Sequence, residues 1–405
     1  MYDLYQGVEI STYANSTYSN YYNGSSELIG SSGPKGPPGE NGNFSKDELS
    51  IFSTLGMSLT GFGKNWVEST TTNNSFSSVS LSASGKYQTA ITDVMTQNNA
   101  DMYLYVSSDF GNTWNGVQSI PKIVFNYLSL SASGQYQTAV ALGTNPPPIY
   151  GDFIYVSSDF GVTWTKSNSL KNMWYCVSLS ASGQYQTAVA WGISKSDRPP
   201  GDFIYVSSDF GTSWTKSNSL QNYWISVSLS ASGQYQTAVA KGIQAEDDRP
   251  PGDFIYVSSD FGVTWTSKSL QKIFTSVSLS ASGQYQTAVA ENDEVGDFIY
   301  VSNDFGENWT QLSAPQKQWK SVSLSASGQY QTAVALGIPN PGEPPFGFIY
   351  VSIDFGNTWT PSNSPEKRWK GVSVSGSGQH ITACCYEPNS PNVCIYTSKS
   401  FPPQS

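Results

Sequence analysis

The sequence predicts an all-β fold: a seven-bladed β-propeller of four-stranded antiparallel blades, closed by an N-terminal strand joining the last blade. Three observations carry this. A segment reading Val-Ser-Leu-Ser-Ala-Ser-Gly-Gln-Tyr-Gln-Thr-Ala-Val-Ala, or a close variant, begins near Val79, Leu128, Val177, Val227, Val277, Val322 and Val372. A second segment, Phe-Ile-Tyr-Val-Ser-Ser-Asp-Phe-Gly-x-Thr-Trp, comes after it in six complete copies, whose aspartates are spaced by 50, 50, 51, 44 and 50 residues. The two ends of the chain supply complementary halves of one further copy. Short β-rich units repeated at this period stack radially.

Each unit resolves into four strands. Strand A is Val-Ser-Leu-Ser, apolar at alternate positions; strand B is Gln-Thr-Ala-Val-Ala; strand C is Phe-Ile-Tyr-Val-Ser; strand D is Thr-Trp-Thr with the few residues after it. All are rich in β-branched or aromatic residues and bounded by turn residues. The Ala-Ser-Gly-Gln turn between A and B uses Gly for a positive φ. No stretch shows helical periodicity with caps. The last copy stops after Ile395-Tyr396-Thr397-Ser398-Lys399-Ser400-Phe401, and its missing half reads Gly61-Phe62-Gly63-Lys64-Asn65-Trp66. An N-terminal strand D pairing with the last blade removes two open edges. The propeller is assigned to residues 51–405, and residues 1–50 to a low-complexity tail.

Within that tail, Gly33-Pro34-Lys35, Gly36-Pro37-Pro38 and Gly39-Glu40-Asn41 precede Gly42, a short collagen-like stretch over 33–42. It reads equally as a Gly/Pro linker. Were it to trimerise, a homotrimer would present three propeller faces.

Composition narrows the partners. The net charge of -10 disfavours nucleic acid, which needs a Lys/Arg surface. Ten of the 30 acidic residues belong to repeated motifs, so the acidity does not mark an acidic active site. Cys176, Cys384, Cys385 and Cys394 have no metal-ligand spacing; Cys384 or Cys385 could face Cys394 across a hairpin, or all could be small buried apolar groups. With one histidine, His380, neither a metal site nor a cofactor is expected. No apolar run reaches membrane-spanning length. The first residues lack a basic segment followed by an apolar one, so no ordinary signal peptide is expected.

The motif Ser157-Ser158-Asp159-Phe160-Gly161-Val162-Thr163-Trp164 resembles the Asp box, or BNR repeat, of sialidases and related propellers. It recurs at 107–114, 207–214, 258–265, 302–309 and 352–359. The resemblance implies that the turn joins strands C and D on the face opposite an active site. Asp109, Asp159, Asp209, Asp260, Asp304 and Asp354 are therefore expected to hold the fold, accepting hydrogen bonds from their own turns. The Trp is expected to pack between blades. Collagen-like triplets joined to near-identical Asp-box repeats also resemble surface or fibre proteins of large DNA viruses, which implies an extracellular or virion-surface setting.

Sialidases hold the substrate carboxylate with three arginines and use a Tyr nucleophile. The only arginines here are Arg198, Arg249 and Arg368. Arg198 and Arg249 occupy equivalent positions in near-duplicate loops, and no arginine precedes Arg198, so the triad does not carry over. One asymmetric active site also requires blades that differ, whereas residues 151–170 and 201–220 are nearly the same. No catalytic residue is assigned. The expectation is a non-enzymatic surface or structural module that recognises a glycan or protein through its loops. A sialidase-like hydrolase and a protein-binding assembly scaffold stay as alternatives.

Variation concentrates in the B–C loops, such as 144–148, 195–200, 246–251 and 339–345, which Pro stiffens. Recognition often sits on variable loops over a constant scaffold. Trp191 breaks the repeat near Arg198, and Trp191, Arg198, Asp248, Arg249 and Arg368 form the expected contact set. An aromatic precedes strand A in every blade (Phe76, Phe125, Trp174, Trp224, Phe274, Trp319, Trp369), with Phe125 read as one or two positions out of line. These aromatics could stack on sugars or pack between blades.

Overall fold

The computed structural model describes residues 61–69, 75–92, 104–143, 151–192, 201–241, 254–268, 270–291, 296–336, 347–386 and 394–400. The tail assigned to 1–50, with its triplets at 33–42, lies outside the described residues, as do the four B–C loop segments named above.

Seven four-stranded antiparallel sheets form, and no helix occurs among the described residues. Strand A of each blade packs against strand A of the next, and the first blade meets the last, so the A strands line a central channel. The blades, numbered in chain order, cover 76–116, 124–166, 174–216, 223–268, 274–311, 318–361 and 369–399. The seventh is completed by Trp66–Glu68, which pairs Trp66 with Ser398 and Glu68 with Tyr396.

Burial tracks position in the blade. Strand B, for example Gln186–Ala190, is buried at every residue because neighbouring blades cover both its faces, and its alanines permit the close approach. Strand D, for example Thr165–Lys166, is exposed at the rim. The core therefore lies between blades. Val140 and Ile154 of blade 2 pack on Trp174, Val177 and Ala188 of blade 3, with Trp214 beside them. Each fully buried large apolar side chain here contributes about 1.5–3 kcal/mol.

Three contacts repeat at the seams. The backbone N–H of Ala83 donates to Ala132, and the relay continues through Ala181, Ala231, Ala281, Ala326 and Gly376 back to Ala83, closing a ring of hydrogen bonds at the A–B turns. A strand-B threonine donates to the glutamine of the next blade, as Thr89 Oγ1 does to Gln137 Oε1 at 2.7 Å. The Asp-box phenylalanine reaches back one blade, as Phe160 does to Tyr87 with ring centroids 4.4 Å apart. Phe160 has φ 63°, a left-handed conformation costly for a bulky residue. Its N–H donates to Gln135 O, and its ring gains the inter-blade contact.

The Asp box is a hydrogen-bonded turn. Asp159 Oδ1 accepts from Thr163 N and Ser157 Oγ, at 2.9 and 2.8 Å, and Oδ2 accepts from Thr163 Oγ1 at 2.6 Å. Trp164 Nε1 donates to Gly161 O. Asp109, Asp209, Asp260, Asp304 and Asp354 repeat this arrangement. Burial alone would raise these carboxylates, but the turn's hydrogen bonds hold them below the ordinary range.

The closing seam departs from the pattern. Ile381 stands where other blades carry the accepting glutamine, and Thr332 Oγ1 is buried without a hydrogen-bond partner among the described residues. Ser400 stands where the Asp would be, and the buried Ser398 and Ser400 hydroxyls likewise lack partners among the described residues. His380 stands where the other blades carry the tyrosine that meets the Asp-box phenylalanine, and it stacks on Phe110 at 4.7 Å. Burial, and then the Lys399 charge, push its imidazole down to about 4, so it stacks as a neutral ring. Cys176, Cys384, Cys385 and Cys394 are all buried free thiols.

Candidate functional site

The two mouths of the channel differ in construction. At the end carrying the A–B turns and Asp boxes, six alanines and Gly376 form a narrow collar inside the hydrogen-bonded ring. At the other end, where the B–C and D–A connections emerge, a cavity of about 270 Å³ opens.

That cavity exists because strand A is irregular at one point in every blade. The register against strand B slips between Phe76 and Ser78, Phe125 and Tyr127, Trp174 and Cys176, Trp224 and Ser226, Phe274 and Ser276, Trp319 and Ser321, and Trp369 and Gly371. A bulge leaves one residue unpaired and re-aims its side chain. The residues so released are Ser77, Asn126, Tyr175, Ile225, Thr275, Lys320 and Lys370, and all seven line the cavity. Six residue types occupy seven equivalent positions, inside a strand that otherwise repeats almost unchanged. Phe125, expected out of line, is in register with the other aromatics: it pairs with Ala141 as Trp174 pairs with Ala190, and blade 2 has a second slip, between Val124 and Phe125, that leaves Leu142 of strand B unpaired.

The wall is asymmetric. On blades 2 and 3, Tyr127 is 37% exposed to the channel, and Tyr175 stacks on Trp191 at 4.4 Å and 16°. Trp191 Nε1 donates to Trp224 O at 2.9 Å, which fixes the indole across the seam to blade 4. Ile225 and Ile273 give an apolar shelf on blades 4 and 5. Lys320 on blade 6 forms an ion pair with Glu291 on blade 5. Lys370 on blade 7 places its ammonium over the Tyr386 ring, 5.4 Å from the centroid. Burial pushes the Tyr175 phenol up to about 12, with Glu291 adding repulsion.

Of the two described residues expected to contact a ligand, Trp191 lies on this wall. Arg368 is half-buried at the entry to strand A of blade 7, where its carbonyl accepts from Tyr386 N, and it is not among the cavity-lining residues. Arg198, Asp248 and Arg249 lie outside the described residues. The seven aromatics before strand A are buried to 2% exposure or less, and each packs edge-on against a strand-C tyrosine, as Trp174 does on Tyr205. They pack the seams and offer no sugar platform. The bulged residues themselves escape a reading of the sequence, although their signal, a position that changes in a constant strand, is present in the aligned copies. Among the described residues no group of three or more His, Cys, Asp or Glu is arranged so that it could hold a metal ion.

Comparison with known proteins agrees with this architecture. The BNR-Asp box repeat family matches residues 154–167, 204–217, 255–268 and 299–312. A search of curated proteins finds no match. Among solved structures, one described as YCF48 bound to D1 peptide is similar at 13% identity and a TM-score of 0.56, covering 85% of this chain and 97% of that one. YCF48 from Cyanidioschyzon merolae aligns at 13% identity and 0.55, over 82% and 98% of the two chains. The β-propeller domain of Cps50 (Swd1) from Myceliophteria thermophila aligns at 13% and 0.55, over 84% and 99%. At this identity the likeness is one of fold.

Proposed function

We propose that this chain is a non-enzymatic binding module that receives a protein segment at the varied mouth of its channel. The observation that carries the reading is the bulged position: seven equivalent side chains, nearly all different, face one cavity while the opposite mouth stays uniform. A purely structural ring would gain nothing from such variation, whereas recognition of an asymmetric ligand requires it. A peptide is favoured over a glycan by the mixture of apolar, aromatic and charged groups on the wall, and because Trp191 already spends one face on Tyr175. The YCF48 structure with its D1 peptide is a precedent on the same fold.

Peptide and glycan arrays probed with the purified chain test this, with a fluorogenic sialoside as activity control. Peptide binding that Tyr175→Ala weakens at least tenfold is expected. Turnover of the sialoside would restore a sialidase-like hydrolase, and glycan binding alone would replace the peptide by a sugar. The setting we propose is an extracellular or virion surface, with a homotrimer formed through the 33–42 triplets. Sedimentation of the chain with and without residues 1–50 tests the trimer, and equal masses would remove it.

A further inference from the structure

The two lysines of the mouth are not equivalent, and the difference specifies part of the ligand. Lys320 reaches back to Glu291, the residue directly after strand B of the preceding blade. The same relation carries Lys370 to the end of strand B in blade 6, and the residue there is Leu336. The apolar partner leaves the Lys370 charge uncompensated from that side, and no ion pair forms on it among the described residues. Its ammonium is held over Tyr386 and remains exposed at the cavity wall.

We infer that Lys370 is an anion subsite for a carboxylate of the bound protein segment, with an apolar or aromatic side chain of that segment lying against Tyr127 and Tyr175. The placement comes from ring order: in a circle of seven, blade 7 lies three steps from blade 3, nearly across the channel, and two steps from blade 2, so Lys370 faces Tyr175 over the mouth. A ligand spanning the mouth therefore meets an aromatic wall on one side and a cation on the other. The net charge of -10 does not cancel this attraction. Charges farther away than about 8 Å are largely screened at physiological ionic strength, so the local cation governs the last step of docking. Glu291 adds selectivity, since it neutralises Lys320 and would repel a second carboxylate placed on that blade.

This inference rests on the peptide reading of the mouth, and one experiment separates the two. Three fluorescent nonapeptide pools carry a fixed Phe at the third position. One has Glu at the fifth position and an amidated C-terminus, one has Gln there and a free C-terminal carboxylate, and one has Gln and an amide. Anisotropy titrations use the wild-type chain, Lys370→Met and Tyr175→Ala. At least one carboxylate pool should bind about tenfold tighter than the neutral pool, and Lys370→Met should bring the ratio of carboxylate to neutral binding close to one, the ratio within each variant being the readout. Whichever carboxylate pool leads identifies a side-chain or a terminal source. Equal binding of all three pools, weakened by Tyr175→Ala but not by Lys370→Met, overturns the anion subsite and leaves the peptide reading standing. Binding of sialyllactose without binding of any pool overturns both.

Discussion

The two ends of the channel are made from the same strand, a few residues apart, and they tolerate change in opposite ways. At the collar, each Ala-Ser-Gly turn is bonded to the turns on both sides, so one substitution disturbs two seams. At the open mouth, the bulged residue is off the ladder and carries no register. Strand A thus ends in one terminus locked by a continuous backbone ring and another where single side chains, Asn126 and Thr275, bond across two of the seams. Uniformity marks where the backbones hold one another, and variation marks where the backbone has released a side chain.

The largest test of that contrast sits beside the collar. Gly161 has φ 81°, and a Cβ there would stand 2.7 Å from Gln137 Oε1 and 2.9 Å from Val106 Cγ1 of the preceding blade. Gly161→Val should cost about 2–4 kcal/mol in urea unfolding, from backbone strain and overpacking combined. At the mouth, Ser77→Thr should change stability by less than about 0.5 kcal/mol. Comparable losses at both sites would erase the distinction between the two ends.

A smaller effect separates the ends by pH. The six Asp-box carboxylates are held below their ordinary value by hydrogen bonds from their turns. A depressed carboxylate contributes stability that is present above its unfolded pKa, about 3.9, and is lost as pH falls through the folded value. Asp159→Ala should therefore cost about 1–3 kcal/mol at neutral pH, where it removes the charged acceptor of the Thr163 and Ser157 hydrogen bonds, and less as the pH drops below 4. Thermal melts of the variant and the parent from pH 7 to pH 2 should converge at the acid end. Parallel curves would mean that Asp159 carries no linked proton and holds its turn by shape alone.

Much of this architecture is legible in the sequence. The 50-residue period, the alternating strands and the split seventh copy are properties of composition and spacing, and they suffice for blade number and closure. The Asp boxes are legible because their chemistry is local: Ser, Asp, Gly and Thr within one turn satisfy one another. The mouth is not, because a bulge is an event in register between strands and demands no residue type. Trp191 surfaces only because it breaks the repeat, and its partner Tyr175 is hidden beside a conspicuous Trp174. Arg368 stands out for its charge, but whether a side chain reaches the channel depends on which side of the bulge it occupies.

The smallest predicted effect contrasts a regular seam with the closing one. Thr287 Oγ1 donates to Gln331 Oε1 at 2.7 Å, and its replacement by Val leaves a buried amide oxygen with one fewer partner. Thr287→Val should cost about 0.5–1.5 kcal/mol, the net value of one such bond. Thr332 sits at the same place one blade later, where Ile381 offers no acceptor, so its buried hydroxyl bears the desolvation cost alone. Thr332→Val keeps the shape and removes that cost, and it should be neutral or stabilising by up to about 1 kcal/mol. The sign of the difference between the two variants is the test, because they make the same chemical change in near-identical strands. If both destabilise alike, Thr332 has a partner beyond the described residues, and the closing seam is as well bonded as the rest.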